Sequence, residues 1–388
     1  MTDFNKIVNR RGTNCIKWDI KALEDREDVL PMWVADMDFE AAPGIVLAME
    51  KVMNHKVFGY RFNSPDYKSA IIDWFLKRHG YRIERDWICY LPNVVAGLSI
   101  GVQTVSEPGD EIILNTPVYG PFYRAVTDNG RIVKECPMIE TNGRYTMDFK
   151  AMEASITPKT KAVMLCNPHN PGGRVWTEEE LKSLADICLK HKLYIISDDI
   201  HADLTYGGHK HTFIAGLSKE IEQRCITCTS PSKAFNLAGM QAAHIIIANE
   251  ALREKFISPL KAIHMTGGNS FEEALVVGAY WDSEEWLKEA VAYIEDNIDF
   301  FVDGIHKNIP QLKTSKPDGT YLVWIDCRAL GLSQEALMDF FLNTCGLFLN
   351  SGLDYGERGR GFVRINMACP RKYVEEALKR MMDGIKRL

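Results

Sequence analysis

The sequence predicts an α/β protein of two unequal parts: a large domain with a mostly parallel central sheet flanked by helices, and a smaller α/β domain. A chain of 388 residues is too long for one ordinary core, which indicates two domains. Short apolar runs alternate with helical patterns from about residue 110, and near residue 280 the pattern changes to a long, charged, amphipathic stretch. We therefore place the large domain at residues 41–280 and the small domain at 281–388, and we interpret residues 1–40 as an arm that packs with the small domain.

Four apolar runs in the large domain are predicted to be strands, because short apolar runs suit strands that are covered on both faces. They are Glu111–Asn115, Lys161–Cys166, Leu193–Ser197 and Ala243–Ala248. Between the second and the third, Thr177 and Glu180 have the spacing of a capping box, and the apolar residues that follow share one face of a helix. A strand, a capped helix and a strand make a βαβ unit, so the sheet is predicted to be largely parallel.

The C-terminal part has the pattern of a smaller α/β unit. A long amphipathic helix is predicted over Ser283–His306 and a shorter helix over Ser333–Asn343. Strands are predicted at Gly319–Asp326 and Phe362–Asn366, the second of them after a glycine-rich loop, and a terminal helix follows.

The composition argues against several classes of function. Lys and Arg number 46 against 52 Asp and Glu, and the net charge of -6 does not suit a dedicated nucleic-acid binder. The chain has neither a run approaching the ~18 apolar residues of a membrane span nor an apolar stretch near its start that is typical of a secretory signal. The ten cysteines are therefore interpreted as reduced thiols of a cytoplasmic protein. Cys225 and Cys228 alternate as in a strand and are interpreted as buried structural thiols.

Lys233 is the first residue that suggests chemistry. It lies in the segment Ser230–Asn236, directly after a predicted strand, and a lysine at the end of a buried strand is unusual. In an apolar, crowded site the pKa of its ammonium falls, which suits Schiff-base chemistry. Serines at positions 230 and 232 can donate hydrogen bonds to a phosphate. The alternative is a lysine in a surface loop.

The segment Ser197–Asp203 follows another predicted strand, and open α/β sheets bind ligands at the carboxyl ends of their strands. Its three aspartates and His201 have the chemistry of metal ligands, but no partner cluster of known spacing accompanies them. We therefore favour the use of a single buried aspartate of this segment to face a protonated ring nitrogen. No metal is expected.

Two further segments lie where strands and helices meet. Asn167–Arg174 follows the strand that ends at Cys166, and its prolines and glycines predict a tight turn at the edge of the sheet. Pro92–Ser99 leads into an apolar helix, whose first backbone amides can hold a phosphate.

These four segments, taken in order, resemble the fold-type-I enzymes of pyridoxal 5'-phosphate, the aspartate aminotransferase superfamily. The resemblance covers about residues 30 to 375. Four segments, of which Ser197–Asp203 has already been described, are similar to one branch of this superfamily, the cystathionine β-lyases (C–S lyases) of MalY/PatB type. Those segments are Pro31–Phe39, Tyr119–Phe122, Ser197–Asp203 and Gly361–Asn366. The resemblance implies a large pyridoxal-phosphate-binding domain and a small domain.

The resemblance also implies the contacts of the cofactor ring. Lys233 matches the lysine to which the cofactor is attached, and Asp198 matches the aspartate that pairs with the pyridinium nitrogen. Asn167 would bond the phenolic oxygen of the ring, and Tyr119 would stack on the ring face and is expected to be catalytic with Lys233 and Asp198. His201 stands where many aminotransferases have a tyrosine that contacts the same oxygen, and it fits the lyase branch.

The resemblance also implies which residues contact the phosphate of the cofactor and which contact the substrate. Arg364 matches the arginine that grips the substrate carboxylate bidentately. Tyr60 matches a tyrosine that reaches the phosphate from the neighbouring subunit, which implies a homodimer with shared active sites. Gln241 stands where many aminotransferases carry a phosphate-binding arginine, and we do not count it among the site residues. Hydroxyls and amides are therefore expected to form the phosphate cup: those of Ser230, Ser232, Val94 and Val95.

The activity that the resemblance implies is α,β-elimination on L-cystathionine, L-cysteine or related cysteine thioethers, which gives pyruvate, ammonia and a thiol. An aminotransferase of class I/II would use the same residues and stays an alternative. A third alternative is a regulator that acts by binding another protein, although no added helix-turn-helix or basic arm indicates this.

Overall fold

A computed structural model of the chain describes residues 2–60, 62 and 64–388. Its strands are β1 Leu30–Pro31, β2 Ile88–Leu91, β3 Glu111–Thr116, β4 Ile132–Pro137, β5 Ile139–Thr141, β6 Arg144–Thr146, β7 Thr160–Cys166, β8 Tyr194–Asp198, β9 Cys225–Thr229, β10 Ala243–Ile246, β11 Lys313–Thr314, β12 Leu322–Asp326, β13 Leu347–Phe348, β14 Asn350–Ser351 and β15 Phe362–Asn366. Its helices are α1 Ile16–Asp19, α2 Pro43–His55, α3 Pro65–His79, α4 Val94–Val105, α5 Pro121–Thr127, α6 Phe149–Ser155, α7 Glu178–Lys190, α8 Lys219–Glu222, α9 Glu250–Ala262, α10 Ser270–Tyr280, α11 Glu284–Asn308, α12 Gln334–Asp339 and α13 Arg371–Ile385.

The seven-stranded sheet has the order β2-β10-β9-β8-β7-β3-β4. The five strands from β9 to β4 are parallel, which confirms the prediction of a mostly parallel sheet. The exception is β10, which runs antiparallel to both of its neighbours. Each of the four predicted strands is present, because apolar residues of this sheet are buried beneath helices on both faces.

The βαβ unit predicted around Thr177 is present as β7, α7 and β8. The Thr177 side chain accepts from the amide of Glu180, and the Glu180 carboxylate accepts from the amide of Thr177 at 2.9 Å. This capping box satisfies backbone donors that the first turn of a helix leaves free. It fixes where α7 begins, and so how the chain returns to β8.

The four-stranded sheet has the order β11-β12-β15-β14 and is antiparallel. The long helix α11 and the terminal helix α13 pack with this part of the chain through buried apolar faces. The boundary that we proposed near residue 280 falls between Tyr280, which ends α10, and Glu284, which begins α11.

The N-terminal arm hydrogen-bonds to the C-terminal part of the chain. Its strand β1 pairs in parallel with β13, and the amide of Asp38 donates to the carbonyl of Ala368 at 2.9 Å. The arm also contacts the larger part, because the Asn236 side chain accepts from the amide of Met37 at 2.9 Å and donates to the carbonyl of Phe39 at the same distance. Residues 30–39 therefore bridge the two parts of the molecule.

A buried cluster of charges holds this arm together. Asp38 lies 2.6 Å from both Lys17 Nζ and Arg10 Nη1, and it accepts a further hydrogen bond from the indole of Trp18 at 3.0 Å. Lys17 and Asp38 are 1% and 3% exposed, so this pair is almost completely removed from water. Such a pair depends on both partners, because either charge left alone in the interior is costly.

All ten cysteines, each of which lies among the described residues, are free thiols. Cys225 and Cys228 are buried in β9, as predicted for structural thiols. No helix in the described part of the chain combines the length and apolar character needed to cross a membrane.

Candidate functional site

A cavity of about 440 Å³ opens where four parallel strands end and the four-stranded sheet approaches them. The segments that follow β3, β7, β8 and β9 each contribute to its wall, as open α/β sheets place ligands at the carboxyl ends of their strands. The polar side chains on this wall are Tyr119, Asn170, Asp198, His201, Ser230, Ser232, Lys233, Gln241, Asn350, Asp354, Tyr355 and Arg364, together with the helix cap Asn93 and the indole of Trp33.

Asp198 ends β8 and is buried in the cavity wall. Its carboxylate accepts a hydrogen bond from the amide of Ile200 at 3.2 Å, and no ion pair joins it to another described residue. Burial raises its pKa to about 7, and the neighbouring charge of Asp199 acts in the same direction. A buried carboxylate with so few partners suits a cationic or hydrogen-bond-donating ligand.

Lys233 lies in the tight turn after β9 and is half-buried. Its Nζ donates to the main-chain carbonyl of Ala35 at 2.5 Å. Burial lowers its pKa to about 8, with a further contribution from the positive charge of Arg364. At pH 7 about a tenth of the lysine is therefore a neutral amine, far more than at its ordinary pKa, and nucleophilic and proton-accepting lysines act in this form.

The first turn of α4 presents free backbone amides to the cavity. The Asn93 side chain caps the helix by accepting from the amide of Ala96 at 2.9 Å, which leaves the amides of Val94 and Val95 without a helical partner. Both valines line the cavity. The helix has 12 residues, and the positive end of its dipole adds to the attraction for an anion.

The two predicted serines differ in what their hydroxyls can do. Ser230 Oγ donates to the carbonyl of Ala242 and accepts from the amide of Ser232 at 3.0 Å, so its one proton is already in use. Ser232 lines the same cavity and is half-buried. In this arrangement Ser230 shapes the turn, and Ser232 is the better placed of the two to donate to a ligand.

Arg364 lies on β15 and is 3% exposed. Its Nη1 donates to Asn170 Oδ1 at 3.1 Å, and its Nη2 donates to Asn350 Oδ1 at 2.6 Å and to the carbonyl of Trp33 at 2.8 Å. Its Nε is buried without a partner, and no carboxylate of the described residues pairs with it. A buried guanidinium held only by neutral acceptors is suited to an incoming carboxylate.

The structure corrects one predicted contact, that of Asn167. This residue does not line the cavity, because its side chain is engaged inside the fold: it donates to the carbonyl of Thr212 at 3.1 Å and accepts from the amide of Trp176 at 3.4 Å. Asn170, three residues further along the same turn, lines the cavity and bonds Arg364. The turn was recognised from its sequence, but not which of its two asparagines faces the ligand.

Tyr119 and His201 both line the cavity. The amide of Tyr119 donates to the carbonyl of Asn170 at 3.1 Å, and burial raises the pKa of its phenol. His201 is buried, and its Nδ1 has no partner. Burial and then the nearby positive charges of Lys233 and Arg364 hold the pKa of His201 well below its usual range, so the ring is neutral.

Tyr60 lies outside this cavity. It is fully exposed, beside Val57, Gly59 and the end of α2. The side chain therefore does not reach the site of its own chain. Exposed apolar side chains surround this stretch, and we call them the apolar strip: Leu47, Met53, Val57 and Phe58.

The predicted alternative of a metal site gains no support from the geometry. Asp199 lies 3.0 Å from His211, and Asp203 accepts from the indole of Trp74 at 3.1 Å. Among the described residues, no three side chains of ligand type are grouped as a metal would need.

Several residues of the wall were missed by sequence reasoning. Asn350 lies on β14 and Tyr355 in the glycine-rich loop before β15, and Tyr355 places its ring 5.2 Å from the Arg364 guanidinium. Ala35 contributes only its main-chain carbonyl, and the type of side chain at a position does not predict such a contact. Asn170 could have been predicted from the sequence, because it stands in the same predicted turn as Asn167.

The chain is similar to known proteins over nearly its whole length. Residues 27–381 match the family model described as aminotransferase class I and II. Cystathionine beta-lyase PatB of Bacillus subtilis is 39% identical, with 99% of this chain and 100% of that protein covered. Protein MalY of Escherichia coli is 34% identical, with coverages of 100% and 99%.

A solved structure with a closely similar fold is that of cystalysin from Treponema denticola, which contains a pyridoxal 5'-phosphate cofactor. It superimposes with a TM-score of 0.97 at 34% identity and covers 100% of this chain and 99% of that one. With this fold, this cavity and these relatives, the chain belongs to the aminotransferase class I and II family, in its branch of pyridoxal-phosphate-dependent cystathionine β-lyases (C–S lyases).

Proposed function

We propose that the protein is a pyridoxal-phosphate-dependent C–S β-lyase that acts on L-cystathionine, L-cysteine or related cysteine thioethers and releases pyruvate, ammonia and a thiol. One observation carries the proposal. A lysine with a lowered pKa, a carboxylate without a cationic partner and a guanidinium without a carboxylate line one cavity: Lys233, Asp198 and Arg364.

The residues present fit the cofactor. Asp198 would accept from the ring N–H, and Lys233 would hold the cofactor covalently. The amides of Val94 and Val95 and the hydroxyl of Ser232 would bind the phosphate. We assign the contact with the phenolic oxygen to Asn170 in place of Asn167, with neutral His201 beside it. When bound, the cofactor supplies the electron sink that permits loss of the substrate α-proton and departure of a thiolate from the β-carbon.

Arg364 would bind and orient the substrate. Its guanidinium can grip a carboxylate with two parallel hydrogen bonds, and its surroundings exclude water from that pair. A carboxylate fixed there sets the direction of the α-carbon–hydrogen bond. Lys233 then takes the α-proton onto Nζ, since its lowered pKa makes the neutral amine available.

The wall favours a lyase over an aminotransferase of dicarboxylates. Of the described residues that line the cavity, Lys233 and Arg364 are the two lysine or arginine residues, and both already have a proposed role. A second carboxylate on the substrate would therefore lack a basic partner in this wall. The similarity to PatB of Bacillus subtilis, a cystathionine beta-lyase, supports the same choice.

We further propose that the protein is a cytoplasmic homodimer with shared active sites. The apolar strip and the exposed Tyr60 lie next to each other, and exposed apolar side chains in such number are typical of a surface that is covered in an assembly. A two-fold axis at this surface would carry Tyr60 of one subunit to the phosphate of the other.

Incubation with L-cystathionine tests the activity, with pyruvate and free thiol measured together and no keto acid added. The proposal expects the two products to form in step. If turnover requires a keto-acid acceptor and the substrate keeps its sulfur, the protein is an aminotransferase. Borohydride reduction of the yellow holoenzyme should fix the cofactor on the peptide that contains Lys233. An adduct on another lysine would overturn the assignment of the site.

A further inference from the structure

The carbonyls of residues 32–36 all accept hydrogen bonds from groups in or next to the cavity. Asn366 donates three times, from its amide to Met32 at 2.9 Å and from its side chain to Val34 and Asp36 at 2.6 Å each. Arg364 donates to the carbonyl of Trp33. Residues 32–36 therefore form a strap whose backbone is fixed at every position.

The carbonyl of Ala35, at the middle of this strap, accepts twice. One donor is Lys233 Nζ at 2.5 Å, and the other is the hydroxyl of Tyr321 at 2.9 Å. Lys233 and Tyr321 thus meet at one oxygen atom, although they come from different parts of the chain. The oxygen lies in the cavity wall, since Ala35 is one of its lining residues.

Tyr321 is itself held firmly. Its side chain is fully buried, and its ring packs edge-to-face against His201 with centroids 5.8 Å apart. The residue before it, Thr320, donates its amide to the carbonyl of Leu204 at 2.8 Å. The phenol is therefore anchored to the part of the fold that carries Asp198 and His201.

We infer that Tyr321 is a positioning residue for Lys233, which acts by fixing the carbonyl of Ala35 as the acceptor for the lysine amine. The inference rests on the proposed role of Lys233 as the base. When Nζ takes the substrate α-proton it becomes an ammonium, which has three donors and no acceptor. A fixed carbonyl receives one of these hydrogens and so holds the proton-carrying nitrogen at a defined place.

The other charged or titratable groups around Lys233 do not replace this acceptor. Arg364 opposes the charge of the ammonium, whereas Asp36 and Asp198 favour it from a distance. His201 is neutral and buried beside it. Among the described residues, the carbonyl of Ala35 is the group within hydrogen-bond distance of Nζ.

The test measures the pKa of the Lys233 amine in the cofactor-free protein, so that the result does not depend on turnover. The wild type and Tyr321→Phe are acylated with trace acetic anhydride over a range of pH, and mass spectrometry of the Lys233 peptide gives the pKa of its amine. The variant should show a pKa lower by about one unit, because a misplaced acceptor stabilises the ammonium less. Tyr206→Phe is the matched control, since Tyr206 is equally buried and its hydroxyl has no partner.

A second readout uses the holoenzyme. With an α-deuterated cysteine thioether, Tyr321→Phe should show a larger isotope effect on kcat/KM than the wild type, because proton transfer to a poorly placed amine is slower. Thermal unfolding of both variants verifies that each is folded.

The inference is overturned if the Lys233 pKa of Tyr321→Phe equals that of the wild type, or if Tyr206→Phe shifts it equally. Borohydride trapping on Lys233 in the wild type separates this outcome from a failure of the proposed function, because trapping does not involve Tyr321.

Discussion

Arg364 and Asn170 are joined by a hydrogen bond of 3.1 Å between Nη1 and Oδ1, although 194 positions separate them in the chain. Arg364 belongs to β15 of the four-stranded sheet, and Asn170 belongs to the turn after β7 of the seven-stranded sheet. The bond therefore ties the proposed binding group for the substrate carboxylate to the proposed ring contact. A change at Asn170 should therefore be felt at both ligands.

Replacing Arg364 by lysine should lower kcat/KM by roughly 10- to 150-fold, because hydrogen bonds to charged groups contribute ~1.5–3 kcal/mol. Lysine should recover little of the loss, since an ammonium lacks the planar fork that grips a carboxylate. Steady-state kinetics on a cysteine thioether measures the effect, and the absorbance of the bound cofactor should stay unchanged. Loss of the cofactor from the variant would contradict the assignment to the substrate.

Asn170→Ala and Asn167→Ala separate the two asparagines of one turn. Asn170→Ala should lower kcat/KM by about 10-fold or more, because it removes a contact to Arg364 and the proposed contact to the ring. Asn167→Ala should instead lower the free energy of unfolding by about 1–3 kcal/mol, because it leaves the buried amide of Trp176 and the half-buried carbonyl of Thr212 without their partner. Kinetics and denaturant unfolding on both variants make the comparison. Equal kinetic losses would show that Asn167 contacts the ligands as closely as Asn170 does.

Asp198 should make the cofactor-free protein less stable as the pH rises. Its folded pKa of about 7 lies above the ordinary value of 3.8, so between these values the folded state holds a proton that the unfolded state has lost. The free energy of unfolding should fall by on the order of 3 kcal/mol between pH 4.5 and 8, relative to Asp198→Asn. Urea unfolding of both proteins at the two pH values measures the difference, and identical pH dependence would refute it.

The buried pair of Lys17 and Asp38 should be essential for the stability of the arm. Asp38→Asn should lower the free energy of unfolding by about 3 kcal/mol, because it removes the carboxylate 2.6 Å from a buried lysine and leaves only the more distant Asp36, at 3.6 Å, as a counter-charge. The matched control is Glu178→Gln, which breaks an exposed pair with Lys182 and should change the same quantity by less than ~0.5 kcal/mol. Chemical denaturation of both variants provides the comparison.

The apolar strip should form the interface of a homodimer. Phe58→Glu should shift light-scattering mass toward the monomer and weaken cofactor retention, because the proposed phosphate contact of Tyr60 is made across the interface. Ile132→Glu is the control, since Ile132 is an exposed apolar residue on β4, away from the strip. A fully active wild-type monomer would remove Tyr60 from the site.

Much of the fold follows from local pattern. The apolar runs that became β3, β7 and β8 are recognisable because strands covered on both faces are apolar throughout. The start of α7 is recognisable because a capping box uses side chains three residues apart. No local pattern predicts that β10 runs antiparallel to its neighbours, because the order and direction of strands depend on how distant segments pack.

Local pattern predicts the α/β class, the parallel βαβ unit and the segments at strand ends that carry Lys233 and Asp198, whereas Tyr119, Arg364 and the role of His201 were expected from the family resemblance; all five residues line one cavity. Tertiary structure alone decided which partner each side chain has. Asn167 is engaged by Thr212 and not by a ligand, the proton of Ser230 is used by Ala242, and Lys233 meets a main-chain carbonyl of the arm. The physical reason is that periodicity and capping act within a few residues, whereas a hydrogen bond between distant segments forms only after the whole chain has packed.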